Sequence, residues 1–168
     1  MREKSVIFIC SFNSVRSPIA EGLLRYWNNQ KQYSVYSAGI APIRVRPYTV
    51  MVMKEQNIDI SNHIPASIHQ FRNMHFDYVI TLDDNTRRIA EQMLCDGDRY
   101  LHNSFNSPQE IGKKPEIILT EYRQLRDAIK EFLSEVFPKE TPFKENSSNS
   151  SSKDYLHTIL PSCGVRSK

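Results

Sequence analysis

Residues 5–24 read SVIFICSFNSVRSPIAEGLL, and this stretch decides the fold. Its uninterrupted apolar run at positions 6–9 predicts a strand that is buried on both faces. The apolar residues behind it have the spacing of one helix face: Ile19, Ala20, Leu23, Leu24 and Trp27. The stretch therefore predicts a strand that ends at Cys10, a short loop, and a helix that begins near Arg16 and runs to about Asn28.

Ser17 and Pro18 mark the start of this helix. Proline suits the first helical turn, because an N–H group there has no partner within the helix. Serine is common at the position just before a helix, where its side chain can cap the first turn. We therefore expect Ser17 to be the N-cap.

The loop between Cys10 and Arg16 has the features of an anion-binding site. A chain that wraps from a strand into a helix points consecutive backbone N–H groups inward, at the positive end of the helix dipole. The same field favours a thiolate, which predicts that Cys10 is a nucleophile. The Arg16 guanidinium can bind two oxygens of a tetrahedral oxyanion at once. We expect the loop residues to bind the substrate: Ser11, Phe12, Asn13, Ser14 and Val15.

Two polar side chains support a catalytic cysteine. The Ser17 hydroxyl can donate to the sulfur of Cys10, and Asn13 tolerates the left-handed backbone that a tight loop needs. The alternative is that Cys10 is only a small buried apolar residue at a strand end. The strand before it, the helix after it and the Ser-Pro pair behind the arginine favour the catalytic interpretation.

The pattern Cys-x5-Arg-Ser-Pro at positions 10–18, followed by Ile-Ala-Glu-Gly, resembles the phosphate-binding loop of the low-molecular-weight protein tyrosine phosphatases. It also resembles that of their relatives, the thioredoxin-coupled arsenate reductases. The likeness continues through Tyr-Ser-Ala-Gly at 36–39, Asn-Ile-Asp-Ile-Ser-Asn-His at 57–63 and Phe-Asp-Tyr-Val-Ile at 76–80. It covers roughly residues 4–136.

This resemblance implies a two-step phosphoryl transfer that uses no metal or cofactor. The Cys10 thiolate attacks phosphorus while Arg16 and the loop N–H groups hold the equatorial oxygens, and water then hydrolyses the cysteinyl-phosphate. The implied substrates are phosphotyrosine or aryl phosphate monoesters, as a phosphorylated protein or a small phosphate ester. The resemblance also implies that Ser37 and His63 hydrogen-bond Asn13 and brace the loop.

The rest of the chain alternates predicted strands and helices. We expect strands at 33–37, 77–82 and 99–102, and helices at 48–56, 64–71, from the turn at 83–85 to about 94, and 115–136. Strand–helix–strand units predict a single-domain, three-layer α/β fold, with a four-stranded parallel sheet and helices on both faces. The resemblance implies the strand order 2-1-3-4. Cys10 then lies at the carboxyl end of a strand, where such sheets bind ligands.

Composition and charge narrow the function classes. With 39% hydrophobic and 24% charged residues, the 168-residue chain has the make-up of a soluble globular protein. Its net charge of +3 is too small to indicate nucleic acid or an anionic membrane as a partner. No apolar run approaches the roughly 20 residues of a membrane helix. The apolar run near the amino terminus is shorter than a signal-peptide core, so we expect a cytoplasmic protein.

Two parts of the chain differ in character. Residues 1–138 carry the predicted phosphatase-like domain, and residues 139–168 are predicted to be a flexible polar tail, because serine and asparagine dominate residues 144–153. Within the domain, Arg44 and Arg46 lie on a proline-bounded loop. They are either ordinary solvated surface or the border of the substrate cleft.

The chain departs from the phosphatases where a general acid is expected. Family members carry an aspartate just before a proline on the loop after the fourth strand, whereas this chain has Asn106 and Ser107 before Pro108. Neither side chain can protonate a leaving group as a carboxylic acid does, and such help is worth about 10² to 10⁴ in rate. Glu110 is the nearby carboxylic acid that is left to replace the aspartate.

The chain also departs from the reductases, which use two further cysteines after the third strand. Asp83 and about Ala90 occupy those positions, Cys95 lies several residues too late, and Val15 replaces a loop cysteine of some phosphatases. A disulfide relay from Cys10 therefore lacks a resolving thiol. The chain has three widely spaced cysteines, which argues against a disulfide framework, and no Cys/His cluster has zinc-ligand spacing.

Three hypotheses follow from these features. A phosphatase leads, an arsenate reductase-like oxyanion enzyme is the first alternative, and a non-catalytic oxyanion or phosphopeptide binder that has lost its acid is the second. Phe12 stands where many family members have glycine, and its ring is a candidate wall of the substrate pocket.

Overall fold

The computed structural model describes residues 2–28, 31–93 and 96–137. Four strands lie in these ranges: β1 (Lys4–Cys10), β2 (Tyr33–Gly39), β3 (Phe76–Thr81) and β4 (Gly97–His102). The helices are α1 (Arg16–Trp27), α2 (Pro47–Lys54), α3 (Asp84–Met93) and α4 (Pro115–Val136), with a 3-10 helix at Ile68–Phe71. The predicted tail at 139–168 lies outside the described residues, so the domain boundary at 138 stays a prediction.

The four strands form one parallel sheet in the order β2-β1-β3-β4, as predicted. Because β1 lies between β2 and β3, the strand order changes direction at β1. Cys10 is the last residue of β1 and pairs with Gly39 of β2. The cysteine therefore lies at the carboxyl edge of the sheet, where folds of this class bind ligands.

The residues of β1 alternate between two apolar cores, one on each face of the sheet. Val6, Phe8 and Cys10 pack with residues of α1, α2 and α4, whereas Ile7 and Ile9 pack with residues of the 3-10 helix and α3. This arrangement confirms the three-layer fold. Burying one large apolar side chain contributes about 1.5–3 kcal/mol. The strand that ends in Cys10 is therefore firmly held on both faces.

The start of α1 differs from the prediction. The helix begins at Arg16, with Val15 at the N-cap position and no side-chain cap, so the prediction that Ser17 caps the helix is wrong. Ser17 is the second helical residue and is fully buried. Side-chain capping would use N–H groups of the first turn, and those are the groups that an anion-binding helix terminus offers to a ligand.

The other elements lie close to their predicted positions, with one exception. Of the helix predicted at 64–71, only Ile68–Phe71 is helical. Helix α4 has the predicted bounds, and the chain turns after α2 through Asn57, whose φ is 59°. In the described ranges, no helix is long and apolar enough to cross a membrane, and no three metal-ligating side chains cluster.

Candidate active site

Asn13 organises the loop that joins β1 to α1. Its backbone has a left-handed φ of 47°, and the residue is fully buried. Its Nδ2 donates to Ser37 Oγ at 2.8 Å and to Ser17 Oγ at 2.9 Å. Its Oδ1 accepts from the backbone N–H of Ala66 at 2.8 Å. One side chain thus ties the loop to α1, to β2 and to the segment before the 3-10 helix.

A second layer of polar side chains lies behind Asn13. His63 Nε2 lies 3.3 Å from Asn13 Oδ1, and its Nδ1 lies 3.5 Å from Glu21 Oε2. Ser37 donates its hydroxyl to the same Glu21 oxygen, and Arg25 pairs with the other at 2.8 Å. Burial lowers the pKa of His63, although the Glu21 carboxylate opposes that shift. The structure thus brings Ser37 and His63 against Asn13, as the resemblance implied.

Cys10 lies at the end of β1 with its sulfur in contact with two polar groups. The residue is only 1% exposed. The backbone N–H of Asn13 donates to Sγ at 3.2 Å, and Ser17 Oγ lies 3.0 Å from Sγ. Ser17 Oγ accepts from Asn13 Nδ2, and two acceptors lie within reach of its own hydrogen: the sulfur and the backbone oxygen of Ala38 at 3.4 Å. Donors placed on the sulfur stabilise negative charge there, as a thiolate nucleophile requires.

Arg16 extends its guanidinium beside the loop and is itself buried. Its Nη1 donates to the backbone oxygen of Phe105 at 3.1 Å, and its Nη2 pairs with Asp83 Oδ2 at 3.1 Å. Its Nε is the only buried side-chain nitrogen or oxygen in the described ranges that has no hydrogen-bond partner. A buried donor without a partner is costly. An oxyanion bound at Cys10 would supply that partner.

Asp83 connects three parts of the site through one buried carboxylate. It accepts from the Ser11 backbone N–H at 2.8 Å and the Ser11 hydroxyl at 3.1 Å, and it pairs with Arg16. It also caps α3, because its Oδ1 accepts from the Thr86 N–H at 3.0 Å. The neighbouring Asp84 instead pairs with His102 at 3.0 Å.

The backbone N–H groups of the loop have two different uses. Ser11 donates to Asp83, and Asn13 donates to Cys10. The backbone N–H groups of these two residues therefore hold the loop itself, and the role of all five loop residues in substrate binding stays a prediction. The N–H groups of Phe12, Ser14 and Val15 make no hydrogen bond within the described part of the chain. These three remain as donors for an oxyanion.

A cavity of about 270 Å³ opens beside these groups. One side of it consists of loop residues: Cys10, Phe12, Ser14, Val15 and Arg16. The rest of the lining consists of Arg46 and residues 107–111. Of the three candidate acid-loop residues, Ser107 and Glu110 line the cavity, whereas Asn106 is exposed and does not.

Glu110 is held from two other elements. Its Oε1 accepts from the Tyr122 hydroxyl of α4 at 2.6 Å and lies 3.1 Å from Nη1 of Arg46, which precedes α2. Burial, helped by the Glu110 carboxylate, raises the pKa of Tyr122 far above its ordinary value, so the hydroxyl remains a donor. Arg46 therefore borders the cleft, whereas Arg44 is exposed and does not line the cavity.

Comparison with known proteins shows the family to which this chain belongs. A family model described as low molecular weight phosphotyrosine protein phosphatase matches residues 5–141. The chain belongs to this family. Among similar members, an arsenate reductase of Staphylococcus saprophyticus is 36% identical over 137 residues, which is 77% of this chain and 93% of the relative. An arsenate reductase of Halalkalibacterium halodurans is 33% identical over 132 residues, with 77% and 91% covered.

Solved structures of both kinds of family enzyme resemble the fold. An arsenate reductase in the phosphate binding state is 27% identical, with a TM-score of 0.66 over 82% of this chain and 99% of the other. A low molecular weight protein tyrosine phosphatase from T. tengcongensis is 22% identical, with a TM-score of 0.63 over 79% and 99%, and this likeness concerns the fold alone. The protein is thus an enzyme of a family whose similar members include phosphatases and arsenate reductases.

Sequence reasoning missed three residues of this family enzyme's site. Glu21 was visible as a single carboxylate on an otherwise apolar helix face, beside Ala20 and Leu24. The role of Asp83 in holding the loop was missed, because its contacts with the loop join residues 72 positions apart. Nothing in the sequence indicated the hydrogen bond from Tyr122 to Glu110, because a tyrosine at this position also fits the apolar face of α4.

Proposed function

We propose that this protein is a cysteine-dependent phosphatase that hydrolyses phosphotyrosine or aryl phosphate monoesters through a cysteinyl-phosphate intermediate. The observation that carries the proposal is Asp83. It occupies the position after β3 where the reductases are expected to hold a second cysteine, and its carboxylate is engaged with the loop, with α3 and with Arg16. Cys10 is the only cysteine in the described ranges. Hydrolysis needs one thiol, whereas a disulfide relay needs more.

The site residues divide the work of the first step. The Cys10 thiolate attacks phosphorus, the phosphorus–sulfur bond forms, and the bond to the leaving oxygen breaks. The N–H groups of Phe12, Ser14 and Val15 and the Arg16 guanidinium stabilise the charge that spreads over the equatorial oxygens, which is usually the largest catalytic contribution. Water then attacks the cysteinyl-phosphate and releases phosphate, while Ser17 stabilises the departing thiolate.

The apolar border of the cavity favours a substrate with an organic leaving group. Three apolar residues line the cavity: Phe12, Pro108 and Ile111. Phe12 is 48% exposed and Ile111 is 94% exposed. Arsenate would make no use of this surface, but an aromatic ring would bury part of it. These residues support a phosphorylated protein or a small aryl phosphate as the substrate. The cytoplasm is the compartment that we propose for this reaction.

Arsenate reduction is the second candidate, and one finding favours it. Arsenate reductases are among the curated relatives that match this chain, at 33–41% identity. Arsenate reduction by this chain would require a second thiol that reacts with Cys10. That thiol would be a cysteine outside the described residues or a small thiol molecule. A non-catalytic oxyanion or phosphopeptide binder is the outcome if neither reaction is found.

Two parallel assays test the proposal. We expect p-nitrophenyl phosphate hydrolysis from about pH 5 to about pH 8 in the wild type and none in Cys10→Ser. We expect no arsenate-dependent consumption of thioredoxin or of a small thiol. Consumption of thiols with arsenate, without ester hydrolysis, would replace the phosphatase with a reductase. Phosphate binding with neither reaction would leave a binder.

A further inference from the structure

Residues 105–114 carry no aspartate at the position where the family places its general acid, yet one carboxyl group still faces the cavity. Among the residues that line it, Glu110 is the only one with a carboxyl side chain. We infer that Glu110 is the proton donor and acceptor of this active site, and that it replaces the missing aspartate from three residues farther along the chain. This inference rests on the proposed phosphatase function.

The other buried carboxylate near the cysteine cannot serve. Asp83 does not line the cavity, and both of its oxygens already accept hydrogen bonds from Ser11 and Thr86. It also pairs with Arg16. A group in this position can hold the loop and the arginine, but a general acid must reach the leaving oxygen.

Glu110 has the anchoring that a proton-transfer group needs. Its Oε1 receives both anchoring contacts, from the Tyr122 hydroxyl and from Arg46. Its Oε2 makes no hydrogen bond within the described residues. The side chain is 27% exposed, so substrate and water can reach it, while the two contacts at Oε1 hold it in place. A catalytic group oriented by a further residue is the usual arrangement in enzymes of this type.

The proton then balances over the two steps. In the first step, protonated Glu110 gives its proton to the leaving oxygen as the phosphorus–oxygen bond breaks and the phosphorus–sulfur bond forms. In the second step, the Glu110 carboxylate takes a proton from the attacking water as the phosphorus–sulfur bond breaks. The second step leaves Glu110 protonated, which is the form that the first step uses. The net reaction is hydrolysis of the ester.

A purely structural role is the alternative, since Glu110 also joins α2, α4 and the loop. The substitution Glu110→Gln separates the two roles, because glutamine can still accept from Tyr122 but cannot transfer a proton. The informative quantity is kcat/KM for two aryl phosphates, one with a poor leaving group (phenol) and one with a good leaving group (dinitrophenol). General-acid help matters most for the poor leaving group.

We expect Glu110→Gln to lower kcat/KM for phenyl phosphate by about 10² to 10³ and for dinitrophenyl phosphate by less than about tenfold. Glu116→Gln, at an exposed carboxylate in the first turn of α4, should change neither. Adding Ser107→Asp to Glu110→Gln puts a carboxyl group at the family's position on the cavity wall and should restore part of the phenyl phosphate activity.

Three outcomes decide the matter. Equal losses for both substrates, without rescue by Ser107→Asp, would overturn the inference and leave Glu110 a structural residue. Unchanged rates in Glu110→Gln would overturn it as well. In both cases the wild type remains active and Cys10→Ser inactive, so the proposed phosphatase survives. A wild type that hydrolyses neither ester would overturn the proposed function and this inference together.

Discussion

The phosphate loop, residues 10–16, and the acid-loop segment, residues 105–114, form two sides of one cavity but are held in different ways. The phosphate loop is mostly buried and is fixed by hydrogen bonds that converge on Asn13 and Asp83. The acid-loop segment has no regular secondary structure and is largely exposed. Its contacts include hydrogen bonds of the Phe105 backbone, whose N–H donates to Leu82 and whose oxygen accepts from Arg16, and those of the Glu110 and Lys113 side chains.

This difference separates two tasks. Binding a tetrahedral oxyanion requires donors in fixed positions, because preorganised donors stabilise charge without rearrangement. Accepting a particular leaving group requires a surface that can differ from one enzyme to another, and exposed segments tolerate such change. We therefore expect substitutions of the buried residues of the phosphate loop to lower both stability and turnover, and substitutions in the acid-loop segment to change mainly which esters are used.

Among the substitutions that compare the two regions, Asn13→Ala should have the largest effect on stability. Alanine would have to adopt the left-handed backbone and would leave Ser37 and Ser17 without their donor. We expect the free energy of unfolding to fall by about 2–4 kcal/mol and kcat to fall by about 10- to 100-fold. Urea denaturation measures the free energy of unfolding, and ester hydrolysis measures kcat.

Asn106→Ala is the matched control in the other region, because Asn106 is exposed and does not line the cavity. Its free energy of unfolding should change by less than about 0.5 kcal/mol. Equal destabilisation by the two asparagine substitutions would remove the distinction between the two regions.

A smaller effect is expected from Phe12→Ala, which changes the apolar border without removing a backbone donor. The half-exposed ring should contribute about 1 kcal/mol to binding an aryl group, since only part of its surface becomes buried. KM for an aryl phosphate should therefore rise about fivefold, while inhibition by inorganic phosphate stays unchanged. Ile64→Ala is the control, because Ile64 is 83% exposed and lies away from the cavity lining. Weaker phosphate inhibition in Phe12→Ala would instead assign Phe12 to oxyanion binding.

The smallest effect concerns the pH dependence of stability. Burial lowers the pKa of His63 below its ordinary value of 6.5, so the unfolded chain binds the proton more readily. The stability that neutral, buried His63 contributes is fully present above pH 6.5 and is lost as the pH falls below 6.5. The free energy of unfolding should therefore drop less in His63→Gln than in the wild type between about pH 7 and about pH 5.

His75 provides a contrast with the opposite sign. Asp96, with help from Asp98, raises the pKa of this exposed histidine, so its contribution is present below pH 6.5 and is lost as the pH rises through the raised value. Since solvent screens these contacts, we expect His75→Gln to change the pH dependence less than His63→Gln does. A larger effect from His75 would contradict the importance given to the layer behind Asn13.

The parts of this site that could be predicted are those encoded by neighbouring residues. The apolar run of β1, the helix that follows it and the Cys10–Arg16 spacing all lie within one short segment, and periodicity alone located α4. The acid-loop contacts could not be predicted, because the Tyr122–Glu110 and Arg16–Phe105 hydrogen bonds depend on how distant elements pack. The prediction that Ser17 caps α1 also failed because of tertiary contacts. Its hydroxyl contacts Asn13 and Cys10 instead of capping the helix.

Rapid-quench mass spectrometry of the enzyme during turnover of p-nitrophenyl phosphate tests the central claim most directly. The account predicts one phosphoryl group on the peptide that contains Cys10, which appears before free phosphate accumulates and is absent in Cys10→Ser. Phosphate release with an unmodified Cys10 in the wild type would contradict the account. So would a Cys10 that never gains a phosphoryl group but becomes oxidised when arsenate is supplied.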